Sequence, residues 1–200
     1  MARAWFITHP DVLVDPARPV ARWPLSPRGR ARMRAGLSLP WMREVARVFS
    51  SDEQKALDGA AILAEALAIP HTVLPGLGEN DRSATGYLPP DEFWPVVEAF
   101  FAEPERSVRG WERAADAQAR IVAAVREALA RTGPDAPLAL VSHGGVGTLL
   151  ACHLKGVPIT RAEQQPSVPP GSPSGSGGGY YLAFDPEPWE LVHGWQRIDP

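Results

Sequence analysis

Residues 138–156 read LALVSHGGVGTLLACHLKG, and the fold is decided there. The run ending at Ser142 (PLALVS with Pro137) is short, apolar and continuous, which reads as a buried strand, the fourth of the chain. The stretch GVGTLLACHLKG reads as an apolar helix stopped by Gly156. Between them stand Ser142, His143, Gly144 and Gly145. A histidine is thus delivered to a strand's tip, backed by glycines that let backbone N–H groups approach a ligand, with the positive end of a helix aimed at the same point. Such a corner predicts an anion site, with phosphate the first choice of ligand.

Working outward, AWFIT (4–8) reads as a buried first strand that stops at His9-Pro10. In WPLSPRGRARMRAG, Ser26 is placed to cap a helix whose first residue is Pro27, with Gly36 to stop or bend it. ARVFSS (46–51) is a second strand, and DEQKALDGAAILAEALA carries a helical apolar stripe with acidic residues near its start. HTVLPGLGEN is a third short strand running into a loop. Residues 91–131 are mostly helical, with a break near AEPERSVRG, and YYLAF and WELVHGW close the chain as a hairpin or adjacent edge strands. Residues 166–179, PSVPPGSPSGSGGG, read as a flexible Gly/Ser/Pro connector. Alternating strands and helices predict an α/β fold, a three-layer sandwich with a mostly parallel central sheet, as one domain over 1–200.

Composition narrows the function. Apolar content of 44%, charged content of 22% and a net charge of −3 give no electrostatic case for nucleic acid or an anionic membrane. One cysteine, Cys152, forms no intrachain disulfide, and no segment reads as a signal peptide or membrane span, so a cytoplasmic address is the expectation. No Gly-x-Ser-x-Gly elbow, Walker loop or Gly-x-Gly-x-x-Gly is present, which sets aside serine hydrolases and nucleotide binding. No cofactor or metal site is expected from the spacing of His, Cys, Asp and Glu.

In an open α/β sheet ligands bind beyond the carboxyl ends of the strands. His9, Ser50, Ser51, Glu79, Ser142 and His143 all follow strands, and Lys55 lies on the first turn of a helix that starts nearby. Each has a plainer reading: a structural histidine, a solvated carboxylate, a surface lysine. Their convergence on one rim favours a site.

These residues resemble the histidine phosphatase superfamily, the phosphoglycerate mutase-like fold. LVSHGGVGTLLACHLKG is similar to its second-histidine motif, and PLSPRGRARM to its Leu-Thr-x-x-Gly helix opening, with Gly29 in the glycine's place. FSSDEQKALDGAAILAEAL resembles its Ser-Ser-Pro-x-x-Arg-Ala segment, and Leu77-Gly78-Glu79 its Leu-x-Glu. The first motif departs: Thr8-His9-Pro10 stands where the family has Arg-His-Gly, and Lys55 stands for the later arginine.

The resemblance implies a nucleophilic His9, a transition-state donor in His143 and an acid/base in Glu79. Phosphate would be bound by Lys55 and Gly144, with Thr8 and Ser50 or Ser51 as minor donors. The substrate implied is a small phosphomonoester, with GYLPPDEFW supplying apolar contacts. Losing one or two charge-assisted bonds to arginine costs on the order of 10- to 10⁴-fold in phosphate binding. The rival expectation is therefore a weak or inactive relative that binds a phosphorylated ligand. Arg22, Arg28 and Arg82 are the residues that would have to compensate. Sequence leaves the oligomeric state open.

Overall fold

A computed structural model describes residues 3–166 and 178–199. Five strands and a hairpin partner form one six-stranded sheet: β1 (Ala4–Thr8), β2 (Arg47–Ser50), β3 (His71–Val73), β4 (Leu138–Ser142), β5 (Tyr180–Asp185) and β6 (Glu190–Arg197), in the order β3-β2-β4-β1-β5-β6. β3, β2, β4 and β1 run parallel, while β5 lies antiparallel to β1 and pairs with β6. The two C-terminal strands thus form the expected hairpin, although only β6 is an edge.

β4 is buried along its whole length, as its unbroken apolar run requires. Its alternate residues serve two cores. Leu138 and Leu140 join Phe6, Phe49 and the apolar faces of α3 (Pro90–Ala102), α4 (Ala114–Thr132) and α5 (Gly144–Lys155). Ala139 and Val141 join Trp5, Ile7 and the other layer, made by α1 (Pro27–Ala35) and α2 (Gln54–Leu67). Helix, sheet and helix make the three layers.

Local sequence explains the helix that braces the first strand. Ser26 caps α1 by accepting from the Gly29 N–H at 3.0 Å, with Pro27 as the first residue. A Cβ on Gly29 would stand 2.1 Å from the Asp11 carbonyl oxygen, so only glycine lets the helix lie against the chain that follows His9. The break expected near residues 102–110 separates α3 from α4. No helix among the described residues is long and apolar enough to cross a membrane. The connector expected over 166–179 falls, for 167–177, outside the described residues.

Candidate active site

Strand register assembles the site. Thr8 pairs with Ser142 and Ser50 with Val141, so the residues that follow three adjacent strands are neighbours. His9 donates its backbone N–H to the Ser142 carbonyl (3.0 Å), and Ser51 donates its own to Val141 (3.2 Å). The His9 and His143 rings meet edge to face at 5.2 Å between centroids.

The partners of each imidazole define its chemistry. His9 Nδ1 lies 2.8 Å from the Pro10 carbonyl oxygen, which only accepts; the hydrogen therefore sits on Nδ1, and Nε2 carries the lone pair. Burial, then the charge of Lys55, lowers the His9 pKa to about 4, with Arg82 adding to the effect against the opposing Pro10 bond and Glu53 charge. His143 is fully buried, with Nε2 2.7 Å from Ser51 Oγ and 3.4 Å from Glu53 Oε1. Its pKa is pushed well below the usual value by burial, Glu53 opposing and His9, Lys55 and Arg82 reinforcing. Both rings are neutral at pH 7.

Glu79 reaches the corner from the loop after β3. Its carboxylate accepts from the backbone N–H groups of Gly145 (3.1 Å) and Val146 (3.0 Å) at the start of α5. A Cβ on Gly145 would lie 2.6 Å from Glu79 Oε1, so the second glycine of the motif makes room for this acid. The positive helix end expected to hold phosphate is thus engaged by the protein's own carboxylate in this structure.

Lys55 is buried, but its ammonium is divided between the Val20 carbonyl (2.9 Å) and an ion pair with Glu53. Glu53 is the residue that sequence reading missed. In the sequence it is only one of the acids at the start of α2; its side chain turns inward, touching Lys55, His143 and, at 2.9 Å, the Glu79 N–H. Burial would raise the Glu53 carboxyl, but the neighbouring His143 ring, the Lys55 charge and the bonds from Lys55 and the Glu79 N–H hold it well below the ordinary range.

Two expected phosphate donors are engaged elsewhere. Thr8 Oγ1 accepts from Tyr180 N (3.0 Å) and donates to Gln165 Oε1 (2.7 Å), which ties it to the start of β5. Ser50 Oγ donates to the Ser51 carbonyl and accepts from His71 Nε2, 2.8 Å each. Ser51, the other serine expected as a minor phosphate donor, faces His143 Nε2 instead. Gln165 is a further missed residue: it lies over Gly144, against the space a side chain there would fill.

The three arginines separate clearly. Arg22 and Arg28 are exposed, and Arg28 lies 3.9 Å from Asp11. Arg82 stands over the Phe93 and Trp111 rings, 5.3 and 5.9 Å from their centroids. It lines the cleft that runs from Glu79, Gly144 and Gly145 to the aromatic wall of Phe93, Trp94, Phe100 and Trp111. Arg32, by contrast, is held by Asp11 and Asp199, 2.8 Å each.

A fully buried His143 and a partly exposed His9 thus stand over the ends of parallel strands, with an acid seated on the following helix. A sequence profile of the histidine phosphatase superfamily (branch 1) matches residues 20–173. The chain belongs to the histidine phosphatase superfamily. Solved structures agree in fold. YhfR of Bacillus stearothermophilus is 21% identical with a TM-score of 0.74, covering 100% of this chain and 98% of its own. A mycobacterial glucosyl-3-phosphoglycerate phosphatase with inorganic phosphate is 21% identical with a TM-score of 0.73, covering 98% and 95%. The alpha-ribazole phosphatase of Shigella flexneri is 16% identical with a TM-score of 0.73, covering 99% and 96%. At these identities the likeness is one of fold. A search of curated proteins finds no match.

Proposed function

We propose that this protein hydrolyses small phosphomonoesters through a phosphohistidine on His9. The observation that carries this reading is the His9 ring itself. Its Nδ1–H is fixed on the Pro10 carbonyl, which leaves the Nε2 lone pair free beside the His143 ring. Because burial and Lys55 lower its pKa to about 4, the nucleophile stays unprotonated through mildly acid pH.

In the first step His9 Nε2 forms the N–P bond as the P–O bond to the leaving group breaks. Glu79 gives the leaving oxygen its proton. In the second step Glu79 takes a proton from water, whose oxygen bonds to phosphorus as the N–P bond breaks and frees phosphate. His143 stabilises the phosphoryl oxygens. Arg82, the cation facing the cleft on an aromatic bed, supplies the guanidinium that Thr8 and Lys55 do not. The wall of Phe93, Trp94 and Trp111 suits an apolar or aromatic leaving group.

A second reading has its own observation. The helix end is engaged by Glu79 and the Lys55 charge by Glu53, which leaves little positive charge for a dianion and favours a weakly catalytic protein that binds a phosphorylated ligand.

The test is p-nitrophenyl phosphate hydrolysis from pH 4 to 8 without added metal, comparing the wild type with His9→Ala. The proposed mechanism requires turnover that His9→Ala reduces by about 10³-fold or more, with no loss from His9 protonation until the pH nears 4. Turnover unchanged in His9→Ala ends this reading. A wild type that binds aryl phosphates without cleaving them supports the second.

A further inference from the structure

His143 holds two polar atoms with opposite fates. Its Nε2 faces Ser51 Oγ and the Glu53 carboxylate, whereas its Nδ1 is buried without a hydrogen-bond partner. The Ser51 hydroxyl at 2.7 Å can donate or accept, whereas the Glu53 carboxylate at 3.4 Å only accepts, so the pair favours the neutral ring's hydrogen on Nε2 and the lone pair on Nδ1. A bare lone pair repels the oxygens of a phosphate dianion. With the hydrogen held on Nε2 toward Glu53, the ring offers phosphate a donor once Nδ1 gains a proton.

We propose that Glu53 is a positioning residue that holds His143 by Nε2, so that Nδ1 takes the proton of a bound phosphoryl group and the imidazolium lies between that group and the Glu53 carboxylate. This rests on the reading that a phosphoryl group binds between His9 and His143. In a monoanionic phosphomonoester the O–H bond breaks, its electron pair stays on the phosphoryl oxygen and the new N–H bond forms at Nδ1. A dianionic ligand, the main form of a phosphonate at pH 8, brings no proton, and the proton at Nδ1 is then taken from solvent. The ligand leaves the ring as an imidazolium flanked by two anions.

The groups around His143 account for the switch. His9 faces it from the end of β1, Ser51 and Glu53 from the β2–α2 turn, Lys55 from the first turn of α2, and Arg82 from the loop after Glu79. Lys55 and Arg82 oppose an imidazolium, and Glu53 is the protein group that supports one. In the empty site the former, with burial, prevail; a bound phosphoryl dianion reverses the balance. The ion pair of Glu53 with Lys55 and the bond from the Glu79 N–H keep the carboxylate in place meanwhile.

The experiment uses phenylphosphonate, whose P–C bond is not cleaved, with ¹⁵N-histidine NMR and with calorimetry at pH 8 in buffers of different ionisation enthalpy. In the wild type, His143 passes from one protonated nitrogen to two on binding, with net proton uptake. In Glu53→Gln, which retains an oxygen for the Glu79 N–H, the ring stays neutral, uptake disappears and binding weakens on the order of 10- to 100-fold. Glu53→Asp restores part of the uptake.

A wild-type His143 that remains neutral with phosphonate bound overturns the proposal, whatever the variants do. The same protonation in Glu53→Gln, or no phosphonate binding at all, also overturns it. Protonation of His143 in a protein that hydrolyses nothing supports the proposal while ending the phosphatase reading, so the two failures are distinct.

Discussion

The two histidines meet ring to ring, yet the chain around them is built differently. At the end of β4, Ser142-His143-Gly144-Gly145 keeps the resemblance to the family intact, and every part has an occupation. Ser142 ties the corner to the Leu77 carbonyl at 2.7 Å, His143 faces Ser51 and Glu53, and Gly145 admits Glu79. At the end of β1, only the histidine is kept. Thr8 turns to Gln165 and Tyr180, and Pro10 contributes a carbonyl that fixes the His9 tautomer where the family motif has a glycine. Under the proposed function the first corner holds the acid and the phosphoryl oxygens and the second holds the nucleophile. On that reading the cation that meets the phosphoryl group is Arg82, from a loop, because Lys55 is paired with Glu53.

If that division is right, the largest effect short of removing His9 comes from the loop cation. Arg82→Ala should lower kcat/KM for p-nitrophenyl phosphate on the order of 10- to 100-fold, as loss of one charge-assisted bond to phosphate implies. Arg82→Lys should recover only part, because a point charge does not replace the fork. An unchanged kcat/KM in Arg82→Ala would return the missing charge to the β1 and β2 ends and collapse the comparison.

A smaller effect is expected from the β4–α5 corner. Gly145→Ala places a methyl 2.6 Å from Glu79 Oε1 and 3.1 Å from its Cδ, so the carboxylate must leave its two N–H donors. A loss of about tenfold in kcat is expected, since a small misplacement of an acid/base group costs this much or more. The melting temperature should stay close to that of the wild type. A variant of undiminished kcat would mean that this corner does not position the acid.

The fold was readable because it depends on local signals: the unbroken apolar run of β4, the Ser26 cap followed by Pro27, and the stripe of α2. The histidine pair was readable because parallel strands share a carboxyl-end rim. What escaped were side-chain directions. Glu53 looks like an acid favoured at a helix start, and only the buried ammonium of Lys55 two residues later draws it inward. The sole signal for it was that spacing, an acid between the strand-end serines and a cation. Arg82 was one of three arginines, and its separation from the others depends on Phe93 and Trp111, which come from different elements. Adjacency to the strand ends makes Thr8 and Ser50 look like phosphate donors, whereas the long-range partners Tyr180 and His71 decide where their hydroxyls point.

Thr8 gives the finest discrimination between the two corners. Its hydroxyl is buried, accepts from the Tyr180 N–H at the start of β5 and donates to Gln165. Thr8→Val keeps the shape but leaves the Tyr180 N–H without its acceptor, which should destabilise the fold by about 1–3 kcal/mol in urea denaturation. Activity at a temperature well below melting should change by no more than about twofold, since the hydroxyl reaches no reacting atom. A residue serving the phosphoryl group would give the opposite pattern, a fall in kcat/KM with stability unchanged. That result would mean that the hydroxyl turns from β5 toward the ligand during the reaction, and that the β1 corner also binds phosphate.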